Sequence, residues 1–413
     1  MKFRTLFFFT LITMIIFPTA GSENPDQELM EKVRKIHEKI LTVDTHTDTP
    51  MMLRSPTFDI GKLNDPRKRG GKVDFPRMKK GGLDSVFFAA FVGQGPRTEE
   101  GREKAKQNAL SQFGLIKKAV IKYPELAELA LRSSDAADIE KKGKRAIYIG
   151  IENGYPVGID ISLVKKFYDI GGRYITLCHT QNNDICDSST DRKGEEHSGL
   201  SEFGKKVVKE MNRLGMIIDV SHISDKSFYD VLKISEAPVI ASHSCARAIC
   251  DNPRNLNDDM LKLLAKKGGV IQLCILSEYI KKPKPYPERD KAFKKLRAEY
   301  ENYSKLSEEE KAKVREKWYA LQKKYPRELA TVAEAVDHID HIVKVAGIDH
   351  IGIGTDFDGG GALADCYDSS ELWRITYELV KRGYSEEEIR KIWGGNFFRV
   401  FKKIEEISNK SKG

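Results

Sequence analysis

Cysteine is scarce in this chain and never forms a closely spaced pair. Six cysteines occur in 413 residues, with no C-x-x-C motif among them, and they are too few and too scattered for a disulfide scaffold. Cys178, Cys245 and Cys274 lie in or beside apolar runs, where buried free thiols are expected. The sequence therefore argues against a disulfide framework and against a zinc site built from thiolates.

Apolar runs long enough to cross a membrane are also missing. The N-terminal run from Leu6 to Phe17 is shorter than the about 20 residues that a spanning helix needs. Lys2 and Arg4 precede it and small residues follow it, which is the pattern of a secretory signal peptide. We predict a signal peptide at residues 1–22, an exported (periplasmic or secreted) protein, and no stable membrane anchor after cleavage. An uncleaved N-terminal anchor is the alternative.

No arginine-rich or low-complexity tract accompanies the basic net charge of +9. The 70 basic residues are interleaved with 61 acidic ones, which is typical of a solvated surface and argues against a nucleic-acid partner. A hydrophobic content of 40% with 32% charged residues describes a soluble globular protein.

Short apolar runs alternate with longer amphipathic segments, and no internal repeat is evident. Helical patterns such as Ser201–Leu214 and Asp258–Lys267 lie between the runs. The alternation predicts an α/β fold with a parallel sheet, and eight such units close most simply as a (β/α)8 TIM barrel, a single domain over residues 23–413. The predicted strands are Ile40–Thr45, Leu83–Val92, Ala146–Ile151, Tyr174–Cys178, Met216–Ser221, Pro238–Ser242, Gly269–Ile275 and His350–Thr355.

One segment interrupts the alternation. Residues 284–328 are dense in Lys and Glu, with aromatic and Leu residues at helical spacing. We predict a helical insertion, a hairpin between the seventh and eighth strands. A solvated surface excursion is the favoured interpretation, and a lid or a dimer contact is the alternative, because loops at this face of a barrel border the active site.

Titratable side chains close six of the apolar runs. Those that could bind a metal include His46 and Asp48 after the first run, Glu152 after the third, and His222 and His243 after the fifth and sixth. The carboxyl ends of barrel strands converge on one mouth, so these side chains are expected to meet there. Residues i and i+2 of a strand share a face, which lets His46 and Asp48 reach one cation. Imidazoles suit zinc, and a carboxylate can bridge two cations.

Sequence blocks around these residues carry a family resemblance. From about Val43 to Phe401 the chain resembles the renal (membrane) dipeptidase family of the metal-dependent amidohydrolase superfamily. Beyond the H-x-D motif, the resemblance rests on GLSEFGKKVVKEMNRLGMIIDVSHIS, PVIASHS, RNLNDDML, DHIDHIVKVAGIDHIGIGTDFDG and GGNFFRVF, in that order.

The resemblance implies a zinc-dependent dipeptidase with two zinc ions per chain, and a homodimer. His46 and Asp48 would bind one zinc, His222 and His243 the second, and Glu152 would bridge them and belong to the catalytic group. A hydroxide shared by the two metals would attack the peptide bond. Asp356 and His179 are the further catalytic candidates, and the substrate contacts would be His179, Arg254, Asp356 and Tyr279. Asp358 lies two residues after Asp356, so spacing alone permits either aspartate to face the metals.

The chain departs from the family pattern in three ways. It has no cysteine near Gln181, where mammalian members have a cysteine bridge, it carries the insertion at residues 284–328, and it lacks the anchor tail. They favour a soluble exported member of the bacterial type. A related amidohydrolase acting on N-acyl amino acids or β-lactams is the alternative function, and a catalytically silent barrel is disfavoured because the ligand set is intact. We expect His338 and His341 to lie on a solvated helix face. His197 is a weak candidate for a substrate contact, since only its proximity to the other candidates supports it.

Overall fold

The computed structural model describes residues 25–68, 71–300 and 306–410. The predicted signal peptide, residues 1–22, lies outside them. Among the described helices, none combines the length and the apolar character that a bilayer crossing requires. All six cysteines are buried free thiols, which confirms the prediction made for Cys178, Cys245 and Cys274.

Eight parallel strands form the barrel in the order β1-β2-β4-β5-β6-β7-β8-β9, and the short β3 pairs with β4. The barrel closes where the segment after β9 meets β1, through the Asp48 amide and the Phe357 carbonyl at 2.8 Å. The predicted (β/α)8 fold is confirmed, and β3 is a strand that was not predicted. The strands are β1 Val43–Thr47, β2 Ser85–Phe91, β3 Ala127–Leu129, β4 Arg145–Glu152, β5 Gly172–Thr176, β6 Ile217–Asp219, β7 Ile240–Ser244, β8 Val270–Leu273 and β9 Ile351–Ile353.

Helices surround the barrel, and their ends follow local sequence signals. Ser201, Ser224 and Asn257 accept backbone hydrogen bonds as N-caps of the helices after β5, β6 and β7. The helices are α1 Pro25–Lys39, α2 Phe75–Lys80, α3 Glu99–Lys122, α4 Asp135–Glu140, α5 Ser162–Asp169, α6 Glu202–Leu214, α7 Asp225–Ile234, α8 Asp258–Lys266, α9 Ser277–Ile280, α10 Pro287–Glu299, α11 Glu308–Lys324, α12 Val332–Ala346, α13 Trp373–Lys381, α14 Glu386–Arg390 and α15 Asn396–Lys410.

Aromatic side chains fill the lower part of the barrel. The ring of Phe87 stacks on Tyr148 and on Tyr174, with ring centroids 4.7 and 5.2 Å apart. Phe397 and Phe401 of α15 pack against these rings from below. Because successive strand residues face opposite sides of the sheet, the inward positions of β4 end at Glu152, above this apolar floor.

The predicted helical insertion is present between the seventh and eighth barrel strands, β8 and β9. Its helices α10 and α11 pack together through Phe293 and Trp318, with ring centroids 4.7 Å apart. At its base, Arg327 pairs with Glu278, next to Tyr279. The hairpin therefore joins the barrel at the short helix α9 that follows β8.

Candidate metal centre

Four imidazoles converge on one buried carboxylate at the mouth of the barrel. The two oxygens of Glu152 point to different histidines, so the carboxylate lies between them. From Glu152 Oε1, the Nε2 atoms of His222, His179 and His243 lie at 3.1, 3.5 and 3.6 Å, and from Oε2 the Nε2 atom of His46 lies at 3.6 Å.

Two aspartates approach the centre beside His46. Ligand atoms of His46, Asp48 and Asp356 all lie within 4.8 Å of one another. Asp358 is directed elsewhere, because its two oxygens accept hydrogen bonds from the Thr49 hydroxyl at 2.8 Å and the Lys72 amide at 2.7 Å. Of the two aspartates that spacing left open, Asp356 is the one that faces the cluster.

Several polar atoms of the cluster are buried without a hydrogen-bond partner in the described part of the chain. They are His46 Nε2, Asp48 Oδ1, Glu152 Oε2 and His222 Nδ1. A buried polar atom left unsatisfied costs about 1–3 kcal/mol, and bound cations would satisfy the atoms of His46, Asp48 and Glu152. The Nε2 atoms of His222 and His243 face each other at 2.9 Å, close to the about 3.3 Å that separates two nitrogens on one tetrahedral zinc. The residues present therefore fit divalent cations.

A hydrogen-bonded support orients His243. Ser242 Oγ donates to Asp219 Oδ2 at 2.6 Å, so it accepts from His243 Nδ1 at 2.8 Å. This arrangement leaves the lone pair of His243 on Nε2, which points to Glu152. A partner on the far ring nitrogen is the usual way in which proteins orient a metal-binding imidazole.

Tyr174 gives His46 the same kind of support. Its hydroxyl lies 2.9 Å from His46 Nδ1. The ring has room only because residue 150 is glycine, since a Cβ there would lie 2.0 Å from the Tyr174 ring. Sequence reasoning missed Tyr174 and Asp219, although both occupy inward positions of strands that lead to predicted site residues.

Three residues of the cluster region have left-handed backbone conformations. The φ angles are 79° at Asn153, 70° at His222 and 60° at Asp356. Such conformations cost non-glycine residues about 1–3 kcal/mol and cluster at functional sites. Each one turns the chain sharply just beyond a strand end, where a regular strand would continue.

Burial dominates the electrostatics of the cluster. It raises the pKa of Glu152 to about 8, an effect that the nearby Arg254 charge opposes, and it raises the pKa of Asp356 to about 7. The same burial lowers the pKa of His179 to about 3 and holds the pKa values of His222 and His243 well below normal. The three imidazoles are therefore neutral and able to bind a cation.

Arg254 and Tyr279 lie together beside the cluster. Arg254 is only 4% exposed, and its guanidinium donates to the His243 carbonyl at 3.0 Å. Its Nε atom has no partner in the described chain, and its Cζ atom lies 5.2 Å from the centre of the Tyr279 ring. The structure thus gathers all the predicted site residues at one end of the barrel.

The remaining histidines lie apart from the centre. His197 Nε2 contacts the Asn183 carbonyl at 2.8 Å, and His341 pairs with Asp258 at 2.7 Å. The expectation of a solvated position is wrong for His338, which is fully buried. Its Nδ1 atom accepts from the Ala246 amide and its Nε2 atom donates to the Ile280 carbonyl. This histidine joins α12 to the segments after β7 and β8.

Known proteins with similar sequences and structures cover nearly the whole chain. A family model described as membrane dipeptidase, peptidase family M19, matches residues 30–413. Dipeptidase 3 of Mus musculus is 32% identical over 398 residues, which are 94% of this chain and 69% of that protein. Dipeptidase tcpJ of Claviceps purpurea is 31% identical over 377 residues, 90% of this chain and 78% of that protein. The structure of the probable dipeptidase PvdM from Pseudomonas aeruginosa is 30% identical, with a TM-score of 0.78 over 93% of this chain and 100% of that one.

We expect cation binding at this centre to strengthen as the pH rises toward about 8. Burial raises the pKa of Glu152 to about 8, so below that pH a cation must displace a proton from this carboxyl group. The apparent Kd for Zn²⁺ should therefore fall at least about tenfold per pH unit between about pH 6 and about pH 7.5. Calorimetry in buffers of different ionisation enthalpy measures both the affinity and the protons released. An affinity independent of pH would contradict the assigned role of Glu152.

Proposed function

The chain belongs to the membrane dipeptidase family, and we propose that it is a zinc-dependent dipeptidase that hydrolyses the peptide bond of dipeptides at the centre around Glu152. The observation that carries the proposal is the meeting of this carboxylate with four imidazoles, beside the buried guanidinium of Arg254. The family is one of metallopeptidases, and the proposal adds zinc, its number and the roles of single residues.

The donor set favours two zinc ions. Imidazole and carboxylate ligands without thiolates are typical of hydrolytic zinc sites. We assign His46 and Asp48 to one ion and His222 and His243 to the other, with Glu152 between them. In support, Glu152 Oε2 faces His46 and Oε1 faces His222. Such ions, when bound, polarise a carbonyl and lower the pKa of water toward about 7.

Asp356 is suited to carry the proton of the reaction. A general base or acid works best when its pKa lies near the working pH, and burial raises the pKa of Asp356 to about 7. Its carboxylate lies beside His46 and Asp48. In the proposed reaction it accepts the proton of the attacking water and delivers it to the leaving amine.

His179 is suited to contact the substrate. Its side chain is 21% exposed, whereas those of His46, His222 and His243 are 0–5% exposed. Since burial lowers its pKa to about 3, the ring is neutral and has one N–H to donate. Donation to the carbonyl oxygen of the scissile bond stabilises the negative charge that develops there.

Arg254 is suited to bind the free carboxyl terminus of a short substrate. A planar guanidinium binds a carboxylate through two parallel hydrogen bonds, and Arg254 keeps an unpartnered Nε atom at the site. The Tyr279 ring lies against the guanidinium. Because N-acyl amino acids and β-lactams also carry a carboxylate, an amidohydrolase for those substrates is the second candidate. Export, the homodimer and the single-domain boundaries stay predictions.

Metal content and substrate range together test the proposed function. We expect about two zinc ions per chain in protein prepared without chelators, and hydrolysis of dipeptides. Elemental analysis measures the metal, and an amine-release assay over a panel of dipeptides, N-acyl amino acids and β-lactams measures the activity. Zinc together with cleavage of only the last two classes would favour the second candidate.

Two neutral isosteres test the carboxylates of the site. Glu152→Gln removes the charge between the proposed cations, and Asp356→Asn removes the proton acceptor. Each variant should fold and lose at least about 100-fold in kcat. For Asp356→Asn the reason is that positioned acid–base groups contribute about 10²–10⁴-fold, and for Glu152→Gln it is that the charge which holds the two cations together is gone. Glu202→Gln and Asp259→Asn, at side chains that are 86% and 81% exposed, are the matched controls. Near-normal turnover in either site variant would rule out its assigned role.

Replacing the fork of Arg254 should weaken the grip on the substrate carboxylate. Arg254→Lys keeps the charge and loses the paired hydrogen bonds, each worth about 1.5–3 kcal/mol to a charged partner. We expect the KM for a dipeptide to rise about 10- to 100-fold, with a smaller change in kcat. A dipeptide with an amidated carboxyl terminus is the control substrate, and both proteins should cleave it equally poorly. An unchanged KM for the free dipeptide would show that the carboxylate binds elsewhere.

A further inference from the structure

Asp358 is a half-buried carboxylate at the barrel mouth for which the proposed mechanism has no use. Its two oxygens hold two separate segments: Oδ2 accepts from the hydroxyl of Thr49 at 2.8 Å, and Oδ1 accepts from the backbone amide of Lys72 at 2.7 Å. Thr49 follows Asp48 directly. The ammonium group of Lys72 turns back and donates to the carbonyl of Gly361 at 2.6 Å. Lys72 is therefore bonded both to Asp358 and to Gly361, and these two bonds hold the turn between them.

The contact with Thr49 completes a ladder between two strand ends. The amide of Asp356 donates to the His46 carbonyl at 2.9 Å, and the amide of Asp48 donates to the Phe357 carbonyl at 2.8 Å. The bond from Thr49 to Asp358 is the next rung outward. Two of the carboxylates at the metal centre, Asp48 and Asp356, therefore lie on backbone segments that this ladder holds in register.

The segment after β9 has little freedom and an unfavourable backbone. Asp356 and Asp358 have φ angles of 60° and 68°, and the Asp356 carbonyl accepts hydrogen bonds from three successive amides, residues 359 to 361. A Cβ at Gly359 would lie 2.2 Å from both Asp356 Oδ1 and Asp48 Oδ2. A strained turn packed this closely against the centre persists only when its surroundings hold it.

We propose that Asp358, held by Thr49 and Lys72, is a positioning residue that fixes the carboxylate of Asp356 beside Asp48 for proton transfer. The inference rests on the proposed function for its catalytic consequence. Its structural part, the hold on residues 356–361, stands on the hydrogen bonds alone. Asp358 itself touches neither substrate nor the reacting atoms.

Thr49 offers a matched pair of substitutions for the test. Thr49→Val keeps the shape and removes the hydroxyl donor, while Thr49→Ser keeps the donor. With full cation content confirmed by elemental analysis, we expect Thr49→Val to lower kcat for a dipeptide about tenfold or more with KM nearly unchanged. Thr49→Ser should restore most of the rate. Thr57→Val, at an exposed hydroxyl on the following loop, is the control for the substitution itself.

Hydrogen exchange provides a readout that does not depend on activity. The amides of residues 359–361 should exchange faster in Thr49→Val than in the wild type and Thr49→Ser, because the turn they close is no longer held. The double variant Thr49→Val/Asp358→Asn should lose no more in kcat than the worse single variant, because Thr49→Val already removes the hydroxyl and Asn Oδ1 can still accept from the Lys72 amide. If Thr49→Val does not fold, Thr49→Ala, which removes the same hydroxyl donor, replaces it.

The outcomes separate the two proposals. Wild-type kcat and wild-type exchange in Thr49→Val would overturn the positioning role while the dipeptidase assignment stands. An inactive wild-type protein would instead overturn the dipeptidase assignment. Exchange at residues 359–361 then decides whether Asp358 holds the turn.

Discussion

The burial of three carboxylates and three imidazoles at one end of a barrel is the constraint on which the rest of the structure depends. The groups have too few hydrogen-bond partners among themselves, since donor atoms of His46, Asp48 and Glu152 stay unpartnered in the described chain. Burial also shifts the pKa values of Glu152 and His179 toward the neutral forms of these side chains. Isolated charges are costly inside a protein. Bound cations would offset that cost and keep the carboxylates ionised.

The barrel beneath the centre is built to hold these groups still. The rings of Phe87, Tyr148 and Tyr174 form a packed floor, and the Tyr174 hydroxyl reaches up to His46. That reach depends on the absence of a side chain at Gly150. Apolar packing and the orientation of His46 are therefore coupled through Tyr174, whose ring packs in the core and whose hydroxyl contacts the cluster.

Sequence patterns predicted the eight barrel strands and the position of the site, because buried parallel strands read as apolar runs and polar residues at their ends stand out. The short strand β3 was missed because its three residues, Ala127–Leu129, form no such run. Asp219 and Tyr174 were missed because their roles depend on contacts between strands. His338 was misread, although it shares a helix face with the buried Ala335 and Ile342, a spacing that indicates a core position.

The two aspartates of the DFD segment show where spacing stops being informative. In a regular strand, residues two apart share a face, so the pattern gives Asp356 and Asp358 the same status. Both residues have positive φ angles, which ends the alternation at that point. Partners far away in sequence then decide: Thr49 and Lys72 bind Asp358, while Asp356 turns to His46 and Asp48. Asp358 accepts hydrogen bonds on both oxygens and is fixed in place. Asp356 faces the cluster, where burial raises its pKa to about 7, the range that suits the proton transfer proposed above.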